Sequence, residues 1–183
     1  TAKGCVTGYT LRKHLDPEVR ISGVEKNTYH DWPILRFAEI LLSYAEAANE
    51  YYTTSDDEMV DDELIYTYVN LVRSRAGLPP VENKTKGEMR TIIRRERTVE
   101  LAFEDIRYFD LRRWLDAPVE ESTPIYGCNT LATKEMADVF HTPVAVPSLP
   151  TTFSRKMWFW PINHTELKRN KRLTQNPGWT YPE

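Results

Sequence analysis

The stretch RRERTVELAFEDIRYFDLRRW, Arg94 to Trp114, packs six arginines and five carboxylates into 21 residues, with Val99, Phe103, Ile106 and Trp114 threaded among them. Two kinds of chemistry could use such a set. Glu96 and Glu100 could serve as a catalytic carboxylate pair, or the guanidiniums could bind nucleic acid. A general acid needs a raised pKa, which comes from apolar burial or a nearby like charge. Arginines on every side act in the opposite sense. Nucleic-acid binding calls for a net basic face, whereas the chain carries a net charge of −3 and a pI near 5.9. Neither catalysis nor a nucleic-acid partner is expected.

Other routes to chemistry are equally bare. His14, His30, His141 and His164 are scattered and form no HExxH or clustered metal-ligand spacing. No serine or cysteine sits in a nucleophile motif, and there is no glycine-rich phosphate loop. The acidic run SDDEMVDD lacks the alternating carboxylates and central glycine of a calcium loop and reads as a solvated loop with a helix cap. No catalytic residue, metal or cofactor is therefore expected. Cys5 and Cys128 fit either one disulfide or two inert thiols.

The elements that must position the charged stretch can be read from periodicity. HDWPILRFAEILLSYAEAANEYY suggests a helix capped by Asp31 with Pro33 in its first turn. On a helical wheel only Arg36, Glu39, Ser43, Glu46 and Glu50 make a polar strip, so neighbours should cover this helix on at least two sides. A second helix runs from Asp61 through DELIYTYVNLVRSRAG, with Ile65, Tyr68, Val69, Val72 and Ala76 on its apolar face. Gly77 and Pro79–Pro80 end it. Two such helices joined by a short connection imply an antiparallel, tetratricopeptide-like pair. The third helix opens at a capping box, Thr85 with Glu88, and reaches about Trp114, with a possible break near Asp105.

With Ile92 at the origin of the wheel, Val99, Phe103 and Ile106 fall within about 40° of it and mark the buried stripe. Glu96, Glu100 and Arg107 flank that stripe. Arg94, Arg97, Asp105 and Arg112 fall on the far side as solvated charges. Glu96 and Arg107 lie roughly 16 Å apart along a straight helix, so each needs a partner on another element. Arg73 and Arg75 of the second helix are placed to supply one. These five residues, Glu96, Glu100, Arg107, Arg73 and Arg75, are expected to form structural ion pairs.

Beyond Asp116 the sequence turns rich in proline, threonine and serine and reads as irregular loops. RKMWFWPI suggests a short strand with VFHTPVAV as its hairpin partner, and NHTELKRN a short helix capped by Asn163. The fold class is mainly α: a tetratricopeptide-like helix pair, a long charged helix, irregular loops and one small β-hairpin. At 183 residues the chain can bury roughly 70% of its unfolded surface. No apolar run approaches the roughly 20 residues of a membrane span. The opening TAKGCVTGYT reads as the interior of a longer protein, so the lack of a signal says nothing about compartment.

LRFAEILLSYAEAANE, VNLVRSRAGLP, ERTVELAFEDIRYFDLRRW and LTQNPGW, in that order, resemble the C-terminal part of SusD/RagB-like proteins. The resemblance runs from about Gly8 to the end. Where that family often has glycine after FE, this chain has Asp105. The resemblance implies a non-enzymatic, surface-exposed outer-membrane lipoprotein that captures glycans or peptides for a TonB-dependent, SusC-like transporter. It also implies that residues 1–183 are the C-terminal portion of a longer domain. The N-terminal portion, with the lipid anchor that holds it to the membrane, is then absent from this chain. Family ligand sites are aromatic surface patches, because the apolar face of a sugar stacks on a flat ring. Tyr126, Phe140 and Phe153 are the loop aromatics that could form one here, with packing against the core as the competing role. Trp32, Trp114, Trp158 and Trp160 adjoin core motifs and are expected to pack. The alternative function is a tetratricopeptide-like protein–protein scaffold without a small-molecule ligand.

Overall fold

The computed structural model describes residues 7–16, 32–52, 54–129, 142–146 and 152–180. The chain divides into two compact units, Lys13–Phe109 and Thr1–Arg12 with Asp110–Glu183.

The first unit is helical, with α1 at Phe37–Tyr52, α2 at Glu63–Arg75 and α3 at Lys86–Glu100. Arg36 pairs with Glu100, Ser43 with Arg97 and Asn49 with Lys86, so α1 and α3 run antiparallel. Arg73 pairs with Glu96 and Arg75 with Glu100, which puts the C-terminal ends of α2 and α3 side by side. α1 and α2 are thus the antiparallel pair that the short connection implies. Ala45, Ile65, Val69, Met89 and Ile93 are fully buried between the three helices, and Leu42 and Val72 extend that core. Each large apolar side chain so buried contributes about 1.5–3 kcal/mol.

Local chemistry fixes the ends. The Asp62 carboxylate accepts from the amide of Leu64 at the start of α2. Leu78 N–H donates to Arg73 O and Gly77 N–H to Ser74 O, a Schellman closure with Gly77 at φ 73°. Thr85 and Glu88 form the reciprocal capping box at α3. α1 starts at Phe37, later than the expected Pro33, and its first amide bonds go to Arg36 O. Asp31 lies outside the described residues. On α2 Ile65, Val69 and Val72 are buried, but Ala76 is exposed because the helix has ended.

The charged segment is two helices, not one. α3 stops at Glu100, and α4 covers Ile106–Arg113. Between them Phe103 (φ 63°) and Asp105 (φ 61°) take left-handed conformations, so the turn falls at the expected break near Asp105. Aspartate tolerates this region better than most residues. The break changes the phase of everything after it, and α3 before it buries a different line from the stripe that a single wheel marks when Phe103 and Ile106 are counted in. Val99 and Phe103 are exposed, and Met89, Ile93, Glu96 and Arg97 form the buried line of α3. Arg97, expected in solvent, is only 4% exposed. It is held by Ser43 Oγ at 3.0 Å and lies 3.7 Å from the Glu46 carboxylate. Arg112, also placed in solvent, makes a two-point bond to Glu121.

The second unit holds α5 at Ala117–Glu120, β1 at Tyr126–Gly127, β2 at Val144–Ala145 and α6 at His164–Arg169. β1 and β2 pair antiparallel, Tyr126 opposite Ala145. The small hairpin is therefore present, but RKMWFWPI is not one of its strands. Arg155–Trp158 form one turn of 3-10 helix. The reason lies at the end of the chain. The Trp179 indole N–H donates to both Lys156 O and Phe159 O, 3.0 Å each, which draws the two carbonyls together. An extended strand would hold them apart. Gln175 makes two bonds to the backbone of Ile162, and Asn176 donates to Trp160 O. Gly178 sits at φ 81°, where an added Cβ would come within 2.8 Å of Lys156 Cβ. LTQNPGW is thus a clasp around WFWPI. Asn163 caps α6 through Thr165 N–H. Cys128 is buried and free, and Cys5 lies outside the described residues.

Candidate functional site

Three glutamates at one-turn spacing, Glu96, Glu100 and Glu104, meet four cations in the helical unit. Arg73 Nη1 bonds Glu96 and its Nε donates to Pro79 O. Glu100 accepts from Arg36 Nη1 at 2.9 Å and Arg75 Nη2 at 2.5 Å. Glu104 accepts from Arg36 Nε at 2.8 Å and from Lys13 Nζ. Lys13 also donates to Glu100 O and Ala102 O, and Arg36 Nη2 to Glu100 O. The Glu100 carbonyl at the end of α3 and the Ala102 carbonyl just beyond it, which lie where a helix leaves its carbonyls without intrahelical partners, are thereby satisfied. Arg107 donates to Thr98 Oγ1 across the break.

This geometry leaves little room for proton transfer. The Glu100 and Glu104 side chains are 9% and 5% exposed, and their oxygens face cations. Burial alone would push the Glu104 carboxyl up, but hydrogen bonds from Arg36 and Lys13 outweigh it and hold it below the usual glutamate range. Arg36 is pushed up by its hydrogen bond to Glu104, against the opposing effect of its own burial. A carboxylate so held is an anchor and not a proton donor at neutral pH. Among the described residues no cluster of histidine, cysteine, aspartate or glutamate could hold a metal. Lys13 and Glu104 escape a reading of the sequence. The only signal for them was a glutamate next to a helix break, which needs a cation from elsewhere.

The aromatic candidates lie in the second unit. Tyr126 is 55% exposed on β1. Its strand is fixed by the Cys128 N–H bond to Thr7 O and by Gly127, where a Cβ would fall 2.5 Å from Thr7 O. Phe153 is half-buried. Its ring meets Trp158 edge-on at 5.0 Å, and the Arg112 guanidinium lies 5.9 Å from its centroid. Tyr126 therefore offers a ring face to solvent, while Phe153 is largely engaged within the protein. Phe140 lies outside the described residues. The tryptophans divide differently from expectation. Trp114 and Trp158 are half-buried, but Trp32 and Trp160 are 52% and 70% exposed. Adjacency to a core motif did not bury them, because the clasp bonds the backbone of Trp160 and leaves its ring outside.

Comparison with known proteins gives these features a setting. Residues 2–179 match the SusD family. The chain is 29% identical to the SusD-like protein P2 of Formosa agariphila, over 92% of this chain and 30% of that protein. It superposes on a SusD-like protein from Bacteroides fragilis with a TM-score of 0.75 at 30% identity, covering 95% of this chain and 31% of that one. The surface glycan-binding protein A of Bacteroides uniformis is more distant, with a TM-score of 0.52 at 25% identity over 80% of this chain and 28% of that one. The chain spans less than a third of the length of these relatives.

Proposed function

The chain belongs to the SusD family, and from that premise we propose that it is the C-terminal portion of a surface lipoprotein of the outer membrane. That protein captures glycans, or peptides, without chemistry and delivers them to a TonB-dependent, SusC-like transporter. The observation that carries the non-catalytic reading is the carboxylate–guanidinium cluster. Glu96, Glu100 and Glu104 are all bound to cations, so the cluster serves as a structural lock between helices. A relative described as a surface glycan-binding protein supports the ligand class. Tyr126, with Phe140 and Phe153 as the further loop aromatics, is the stacking candidate on this portion.

Support for a longer parent comes from α1. Phe37, Ile40, Tyr44, Tyr51 and Tyr52 on α1, and Ile34 and Leu35 just ahead of it, are all at least 40% exposed. A continuous apolar face of that kind, on a helix that already packs on α2 and α3, needs cover. The preceding part of the same polypeptide would supply it. The lipid anchor would lie there too.

The test uses the full-length protein. Calorimetry against a panel of oligosaccharides and peptides should show reversible binding, and chromatography of the same mixtures should show no new products. Co-purification from solubilised outer membranes should bring down a β-barrel transporter. Products accumulating in proportion to enzyme and time would sink the capture reading. Loss of binding in Tyr126→Ala with unchanged melting would place the stacking platform on this portion.

A further inference from the structure

A groove on the helical unit is lined by none of the ion-paired glutamates. It measures about 640 Å³ and runs along α2 between that helix and the segment that leads back to α3. Glu63, Thr67 and Leu71 form one wall, Glu82 and Asn83 the other, and the half-buried Tyr66 lies between them. The walls are fixed by two double clamps. Asn70 donates to Val81 O at 3.0 Å and accepts from Val81 N–H at 2.8 Å. The Tyr66 hydroxyl donates to Lys84 O at 3.2 Å and accepts from Lys84 N–H at 2.9 Å. The groove is thus preformed, and a ligand would not have to order it.

What remains free in it is selective. The side chains of Glu63, Thr67, Glu82 and Asn83 bond no described residue, whereas those of Asn70 and Tyr66 are committed to backbone. Two carboxylates accept only, and an amide and a hydroxyl can do either. No lysine or arginine lines the groove. Such a lining suits a ligand with many hydroxyl donors and repels one with carboxylate or sulfate groups. Leu71, 49% exposed, and the edge of Tyr66 supply apolar surface for the C–H face of a ring. The volume falls within the range of ligand sites, about 300–1,000 Å³.

We propose that this groove on α2 is a second saccharide site of the protein, selective for neutral, unsubstituted glycan units over uronate or sulfated ones. The proposal rests on the capture reading and assigns it a place and a charge preference. Hydroxyls donate to Glu63 and Glu82, the Asn83 amide bridges ring substituents, and the sugar's apolar face lies on Leu71.

The test is calorimetry on the full-length protein with neutral gluco-, manno- and xylo-tetraose, with tetragalacturonate as the anionic control. The variant is Glu82→Ala with Asn83→Gly. Both positions are exposed, and glycine preserves the left-handed backbone of Asn83 at φ 51°, so folding is spared. A second variant, Leu71→Glu, removes the apolar contact. At least one neutral tetrasaccharide should bind, the uronate should bind at least tenfold more weakly, and each variant should lose tenfold or more. Neutral binding that is unchanged in both variants overturns the groove assignment and leaves the capture reading standing. A basic peptide competing for the groove while every tetrasaccharide fails there would make it a protein-docking surface. No binding of any saccharide or peptide defeats both readings.

Discussion

Replacing Arg36 with alanine removes the cation shared by Glu100 and Glu104. The parent guanidinium makes contacts of 2.8–2.9 Å with both carboxylates and with Glu100 O. Stripping one partner from a buried ion pair costs about 3–5 kcal/mol. Two features pull the figure to the low end: Glu100 retains Arg75, and Glu104 retains Lys13. The Arg36 side chain itself is 26% exposed. We expect a loss of about 3 kcal/mol, which for a chain of this size lowers Tm by roughly 6–12 °C. The acid limb should move as well. Glu104 is held below its unfolded pKa, so its contribution is complete above the ordinary glutamate range and is lost as pH falls through the folded value. Without Arg36, burial is opposed by Lys13 alone and the folded pKa rises. The acid loss contributed by Glu104 should then be smaller in Arg36→Ala, so the gap in Tm between variant and parent should narrow as pH falls through the glutamate range. The assay is thermal unfolding by circular dichroism from pH 3 to pH 8. Arg169→Ala, whose side chain is 73% exposed and paired only within its helix, is the control and should shift stability by under about 0.5 kcal/mol. An Arg36→Ala protein that melts within a degree or two of the parent, with the same acid limb, would refute the argument that this cluster holds the helices together.

Three further outcomes follow from local geometry. Thr85→Ala removes the side-chain cap at α3 and should cost about 1 kcal/mol, read as a lower urea midpoint at constant m-value. Leu115→Gly should raise stability by about 0.5–1 kcal/mol, because Leu115 sits at φ 62° after α4 with its side chain 71% exposed; a drop in urea midpoint would contradict this. The Cys128 thiol, 5% exposed, should react with a thiol reagent only after denaturant is added, and rapid labelling of the native Cys5→Ser chain would show otherwise.

Much of the helical unit was legible because its signals are local. Asp62, Gly77 and the Thr85–Glu88 box bound their helices within a residue or two. Arg73 and Arg75 stand opposite Glu96 and Glu100 because both sets ride on regular helices of known pitch. The phase of the charged segment was less legible. Asp105 gives no glycine signal, so a single wheel runs through the turn and takes its apolar stripe partly from Phe103 and Ile106, beyond the end of α3; that stripe puts Val99, Phe103 and Arg97 on the wrong side. The strand reading of Arg155–Trp160 failed for a different reason. Alternation of aromatics is a local pattern, and an indole twenty residues on, Trp179, bends those carbonyls together. Of the loop aromatics, types could be read but not exposures, since nothing in FSRKMWFW distinguishes the half-buried Phe153 from the exposed Trp160.

Lys13 bonds residues 87, 89 and 91 positions away along the chain. α2, α3 and the turn that joins them can meet while the polypeptide between them is short. The Lys13 staple has to close a far longer loop, and closure entropy delays such contacts. It therefore belongs to the native side of the folding barrier, and stability lost at Lys13 should appear as faster escape from the native state with little change in the rate of reaching it. The left-handed turn at Phe103–Asp105 is then fastened last, and the lifetime of the native state depends on a residue that takes no part in assembling the helices.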